Sequence, residues 1–157
     1  MQSEEAANGE GTVLSVNISA EKGTKKKNVG TCRLVKDWGI ATDGHAGNWH
    51  RQLSLLSKKS IEKIRAKGLN VDYGDFAENL SVEGIDLYLL PVGTTLTIGT
   101  DVIIRLTQIG KECHARCNIF YQVGDCVMPR EGVFAEVLKE GEVTVGDTIK
   151  ILIAGVP

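Results

Sequence analysis

The sequence predicts a mainly β chain with a few helices, folded as a closed or nearly closed barrel. Three observations lead there. Short β-branched runs recur along most of the length, turn-forming glycines separate them, and only one long segment clearly keeps a helical period. The chain has 18 glycines but 3 prolines, which favours tight turns between short strands over a linker-rich coil. Many short strands with frequent turns close most simply into a barrel. A length of 157 residues suffices for one domain with its own core, expected over 11–157 behind a loosely held tail at 1–10.

Taken in order, Thr12-Val-Leu-Ser-Val-Asn-Ile18 reads as a first strand from its partial alternation. Lys22-Gly-Thr-Lys-Lys-Lys27 follows as a basic loop, either a solvated turn or a receiver of anions. Cys32-Arg-Leu-Val35 is a second strand, with Cys32 read as a small buried residue. Asp43-Gly-His-Ala-Gly47 has glycines too closely spaced for regular structure and reads as a turn orienting Asp43 and His45. Gln52–Leu56 looks like a buried strand. Ser57–Gly68 is the clearest helix: Ser57 or Ser60 caps it, Ile61 and Ile64 mark its apolar face, and Gly68 stops it.

Leu80–Val82 is a short strand behind the polar group Asp75, Glu78 and Asn79. In the β-rich remainder, Leu87–Leu90 ends at Pro91, and Thr95–Ile98 pairs with Val102–Leu106 as a hairpin around Gly99. Glu131–Gly141 fits a short helix, with Val133, Phe134, Val137 and Leu138 on one side. Glu142–Leu152 repeats the strand-Gly-Asp-strand formula and is expected to be a second hairpin.

Bulk properties narrow the function. A net charge of −2 gives no long-range attraction to nucleic acid or to an anionic membrane. No apolar run approaches the roughly 18 residues needed to span a bilayer, and the acidic start lacks the apolar stretch of a secretory signal. Four cysteines, clustered rather than spread as a framework, read as thiols in a reducing compartment. The cytoplasm is the expected location.

The densest chemistry lies in Thr107-Gln-Ile-Gly-Lys-Glu-Cys-His-Ala-Arg-Cys-Asn-Ile-Phe-Tyr121. Cys113, Cys117 and Cys126, with His114 or Cys32, make one zinc set, but a single x3 pair beside a lone cysteine is poor knuckle spacing. A nucleophilic or sulfur-carrying thiolate is favoured by adjacent cations, and Lys111, His114 and Arg116 flank both thiols. A soft thiolate also suits a transition metal held in a cofactor.

Several motifs, taken in series, resemble a known family. They are Asp43-Gly-His-Ala-Gly47 with Arg51-Gln-Leu-Ser-Leu-Leu56, Phe76-Ala-Glu-Asn-Leu80, and Leu90-Pro-Val-Gly93 with Leu96-Thr-Ile-Gly99. Thr107-Gln-Ile-Gly-Lys-Glu-Cys113, Arg116-Cys117, Met128-Pro-Arg-Glu-Gly-Val-Phe-Ala135 and Val145-Gly-Asp147 continue the series. Together they resemble the molybdenum cofactor sulfurase C-terminal (MOSC) domain, and in particular its small stand-alone bacterial members.

The resemblance implies a barrel-like β fold. It also implies a protein that binds molybdenum cofactor (molybdopterin) and carries, delivers or sulfurates it through a cysteine thiolate. A reductase of N-hydroxylated compounds and a zinc- or redox-responsive module are the alternatives. The implied partners are a molybdoenzyme or a sulfur donor protein. The functional cysteine is Cys113 or Cys117: the Arg-Cys pair points to the latter, the spacing after Gln108 to the former. The cofactor's phosphate calls for cations or backbone N–H groups, for which Lys26, Lys27, Arg51, Lys111, Arg116 and Arg130 are candidates. Asp43, His45, Glu78 and Asn79 are expected to orient them or to bond the pterin edge.

Overall fold

The computed structural model describes residues 9–21, 24–111 and 126–156. In chain order its elements are β1 (Glu10–Ile18), β2 (Lys27–Asn28), β3 (Thr31–Val35), β4 (Gly39–Ile40), β5 (Leu53–Ser57) and α1 (Lys58–Arg65). There follow β6 (Leu80–Glu83), a 3-10 turn (Leu87–Leu89), β7 (Thr95–Ile98), β8 (Val102–Ile109), α2 (Met128–Glu131), β9 (Val133–Lys139), β10 (Gly141–Thr144) and β11 (Thr148–Ile153).

Seven strands close into a barrel in the order β1, β6, β5, β9, β8, β7, β11, with β11 returning to β1 through Glu10↔Lys150 and Thr12↔Thr148. Closure satisfies backbone groups that an open sheet would leave at its edges. Every barrel pairing is antiparallel except β5 with β6, where Leu55 faces Leu80. A parallel neighbour needs a crossover, and α1 lies within it. β2 extends β1 beyond the barrel, and β10, β3 and β4 form a separate three-stranded antiparallel sheet.

Two apolar clusters result. The larger fills the barrel with residues such as Val13, Leu53, Leu55, Leu80, Leu96, Ile104, Val133 and Val137, and continues to Leu34, Ile40 and Val143 of the small sheet. The smaller lies outside the barrel wall, where Ile61 and Ile64 of α1 pack with Leu56, Phe76, Cys126, Met128 and Phe134. Strand alternation explains the division: Leu53 and Leu55 point inward while Leu56 points outward, and Val133 and Ala135 point inward while Phe134 points outward.

That two-sided burial corrects one expectation. Glu131–Gly141 is not a helix beyond its first residue; from Val133 to Lys139 it is β9, paired with both β8 and β5. With both faces buried, the period-2 signal disappears into a continuous apolar run that also satisfies helical spacing. The second hairpin is corrected as well. The turn exists, with Asp147 N donating to Thr144 O at 3.0 Å and Thr144 N to Asp147 Oδ2 at 2.8 Å. Its two strands nevertheless part company, β10 pairing with β3 and β11 with β1 and β7. The first hairpin forms as expected, from Ile98↔Val102 onward.

The helix runs over Lys58–Arg65, and neither serine caps it through its side chain. Ser57 Oγ instead donates to Ile85 O at 2.9 Å, and Ser60 Oγ to Glu131 Oε1 at 2.6 Å. Lys63 Nζ reaches Glu131 Oε2 at 2.7 Å, so part of the basic helix face is tied to α2 rather than merely solvated.

Gly39 fixes the entry to the Asp43 turn. Its φ is +117°, and a Cβ there would lie 2.3 Å from Gln52 O. Gly30 has φ +81° with nothing within 4 Å. Gly39→Ala is therefore expected to cost about 2–4 kcal/mol and Gly30→Ala only about 1 kcal/mol. Denaturant midpoints of the two variants check this, and equal losses would show that the backbone contact contributes nothing.

Candidate functional site

Asp43 is the hub of a polar cluster at the barrel rim. Lys26 Nζ lies 2.8 Å from Asp43 Oδ1, with the two side chains 0% and 1% exposed. Ser19 N donates to the same oxygen at 3.0 Å, and His45 N to Oδ2 at 2.9 Å. Lys26 also donates to Ser19 Oγ at 3.2 Å. Burial by itself would raise the Asp43 carboxyl, but the hydrogen bonds from Lys26, Ser19, Asn79 and His45 outweigh it and hold the group below the usual carboxylate range.

This hub aims His45. The His45 Nδ1 atom is 2.6 Å from Arg51 O, and a carbonyl only accepts, so Nδ1 carries the proton. Burial lowers the ring's proton affinity, with the Lys26 and Lys111 charges adding to it against the Arg51 carbonyl and Asp43. The ring is thus neutral at pH 7, with a lone pair on Nε2. It stacks on Phe134 at 5.7 Å and lies 5.4 Å from the Trp49 ring.

Arg51 shares the same two aromatic neighbours. Its Cζ is 4.6 Å from the Trp49 centroid and 5.5 Å from that of Phe134, contacts that orient a guanidinium without consuming its N–H donors. Its Nε is buried and has no hydrogen-bond partner among the described residues. A buried donor left unpaired costs roughly 1–3 kcal/mol, so the site is incomplete with the described residues alone.

Glu78 and Asn79 form a second, fully buried layer. Asn79 Oδ1 accepts from Ser54 N at 2.9 Å and Ser54 Oγ at 3.1 Å, while its Nδ2 donates to Asn17 O at 3.2 Å. Glu78 accepts from Gly74 N, Phe76 N and Ser81 Oγ at 3.0, 3.2 and 2.9 Å. Burial pushes its carboxyl up to about 7. These residues bond their own chain, not open space.

The other candidates fall as follows. Lys111 is half-buried two residues beyond β8, its N donating to Pro129 O at 3.1 Å. Arg130 is exposed on α2, and Lys27 is exposed on β2. Cys113, Arg116 and Cys117 lie outside the described residues. Of the other cysteines, Cys32 packs against the barrel core and Cys126 belongs to the outer cluster. Burial, helped by the Asp43 charge, pushes the Cys32 thiol up to about 12, so it stays protonated, although the residue is half-buried rather than buried as the sequence suggested. Among the described residues no group of three or more His, Cys, Asp or Glu is placed to hold a metal ion, and no helix is long and apolar enough to cross a membrane.

Sequence reasoning gave no role to Trp49, Phe134, Ser54 or Asn17. The closeness of Trp49 to His45 and Arg51 was an available signal. Phe134 was hidden by the helical reading of its strand, and nothing local marks Ser54 or Asn17.

Asp43→Asn is expected to cost about 3–5 kcal/mol at pH 7, because it leaves the Lys26 ammonium buried without its counter-charge. The carboxyl's folded value lies below its unfolded one, so its contribution is present above the unfolded value and vanishes as pH falls through the folded value. The gap between wild type and variant should therefore narrow in acid. Denaturant midpoints at pH 7 and at about pH 3 test this, and an undiminished gap in acid would refute the assignment. For His45, nitrogen NMR should show the neutral Nδ1–H tautomer at pH 7 and titration below the usual histidine range.

The family model for the MOSC domain matches residues 42–150. No curated protein matches the sequence. Among solved structures, the YuaD protein from Bacillus subtilis is similar at a TM-score of 0.76 with 18% identity, covering 90% of this chain and 95% of its own. YiiM from Geobacillus stearothermophilus is similar at 0.66 with 16% identity, covering 90% and 75%. YiiM from Escherichia coli is similar at 0.67 with 16% identity, covering 94% and 72%. At these identities the structural likeness speaks for the fold, while the family match, spanning more than half of the sequence, shows that this chain belongs to the MOSC domain family.

Proposed function

We propose that the chain binds a molybdopterin-type cofactor at the barrel rim and carries, delivers or sulfurates it through Cys113 or Cys117. The observation that carries this reading is Arg51: a guanidinium held between two aromatic rings, with a buried Nε that no described residue satisfies. A phosphate oxygen would satisfy such a donor, and the planar guanidinium fork suits phosphate.

In this reading Arg51 is the main phosphate contact, and Lys111, Arg116, Arg130 and Lys27 supply further positive charge. The neutral His45 offers Nε2 as an acceptor for a pterin N–H. Lys26, Asp43, Glu78 and Asn79 serve by holding the backbone around it, since their polar atoms already bond within the chain. When bound, the cofactor would supply a metal centre for oxygen- or sulfur-atom transfer, to which a soft thiolate is suited. The zinc alternative gains nothing from Cys32 and Cys126, which pack in different clusters.

Protein produced in a cofactor-making host should release fluorescent oxidised pterin in about stoichiometric amount after denaturation. Arg51→Gln should lower its retention by roughly tenfold or more, the loss of one charge-assisted contact of about 1.5–3 kcal/mol. Cys113→Ser and Cys117→Ser, compared one at a time, should separate the thiol that matters from the one that does not. Stoichiometric zinc with no pterin would overturn the proposal.

A further inference from the structure

Glu78 has an unusual setting for an acid. It is completely buried, and the three neighbours that donate to its carboxylate are neutral: the amides of Gly74 and Phe76 and the hydroxyl of Ser81. Both amides belong to the loop just before it, so the carboxyl folds that loop back upon itself. Ala77, within the loop, adopts a left-handed φ of +63°, a conformation costly for a residue with a Cβ. The loop in turn grips Lys26. Lys26 N donates to Gly74 O at 2.9 Å, and Gly74 sits so near that a Cβ would lie 2.2 Å from Lys26 O. Lys26 ends on Asp43, and Asp43 holds the His45 backbone.

We propose that Glu78 is a proton-operated clamp on the 72–78 loop and, through Lys26, on the Asp43–His45 turn. Ionised, it is acceptor-only and all three donors point at it. Protonated by solvent, it must donate one hydrogen bond. The amides cannot accept, so Ser81 Oγ becomes the acceptor and its own proton turns elsewhere. Asn17 Nδ2, which donates to Ser81 Oγ at 3.2 Å and to Glu78 O at 3.2 Å, feels the exchange.

Among the described residues no cation serves this acid as a close counter-ion. Its own loop offers Asp72, Tyr73 and Asp75. The β1–β2 segment offers Lys26, committed to Asp43, and the exposed Lys27. Arg65 of α1 is turned to Val71 O and Asp72. The facing residues Ser15, Asn17 and Ser81 do not titrate. Burial pushes Glu78 up to about 7, so the exchange falls in the physiological range. As the folded value lies above the unfolded one, its proton stabilises the fold below that range, and this stabilisation is lost as pH rises toward 7.

An amide NMR titration from about pH 5.5 to 8.5 tests the clamp. The Gly74 and Phe76 amides should shift with one common midpoint, and the His45 amide should follow it. Glu78→Gln, neutral throughout, should abolish all three titrations. Ser81→Ala, which keeps the acid but removes a donor that favours its ionised form, should raise the midpoint. Flat amides in the wild type, or titrations that survive in Glu78→Gln, would overturn the clamp; a His45 amide that ignores the midpoint would overturn its reach to the turn. The effect on ligand rests on the cofactor reading above: pterin retained at pH 6 and at pH 8 should differ several-fold in wild type and not in Glu78→Gln. Titrating amides with no pterin at any pH would support the clamp while refuting the cofactor reading.

Discussion

Closing the seven-stranded sheet through the β1–β11 pairing is the constraint on which the rest of the molecule depends. A closed sheet has an inside that only apolar side chains can fill, and ends where strands must give way to loops. The interior takes Leu53, Leu55, Ile104 and Val133 with no exposure worth counting. Several of the buried polar residues lie near the ends. Asn17 near the end of β1, Ser54 on β5 and the Glu78–Asn79 pair before β6 meet at one of them. Buried polar groups must be paired, and here they pair with one another across three strands.

That network gives the rim loop a rigid footing. The 41–52 segment has little regular structure, yet Asp43 ties it to Ser19 and Lys26, and Asn79 supports the same carboxylate. The fully enclosed Lys26–Asp43 pair is costly to build, because both charges leave water. Its return is orientation: His45 donates its backbone N–H to the Asp43 carboxylate and fixes its tautomer on the Arg51 carbonyl. Trp49 and Phe134 complete the arrangement by packing against both His45 and Arg51. The position and protonation state of His45 are therefore set by the fold itself.

The outer apolar cluster plays a different part. It seats α1 and α2 against the outward faces of β5 and β9, and the Ser60–Glu131–Lys63 group joins the two helices directly. Gly110 N bonds Gly132 O at 2.6 Å, and Lys111 N bonds Pro129 O at 3.1 Å. The chain leaving β8 and the chain entering β9 are thereby held side by side at the rim, close to the wall that carries Phe134.

The sequence by itself determined the fold class, the strand at Thr12–Ile18, the helix after Ser57, the first hairpin and the turn at Asp43. Each has a local cause: alternation, a helical period, a glycine at a fixed offset. The motifs from Asp43 to Asp147 were also enough to suggest the family that the domain match bears out. What required tertiary structure was whatever depends on partners distant in the chain. Val133–Lys139 became a strand because β8 and β5 flank it on both sides, against a local pattern equally suited to a helix. The strands around Gly146 parted because closure claimed one and the small sheet claimed the other. Lys26, read as a candidate cation for an anion, is instead enclosed with Asp43, 17 positions along the chain. Periodicity and turn chemistry act over a few residues, whereas pairing register and burial of charge are decided only when the barrel closes.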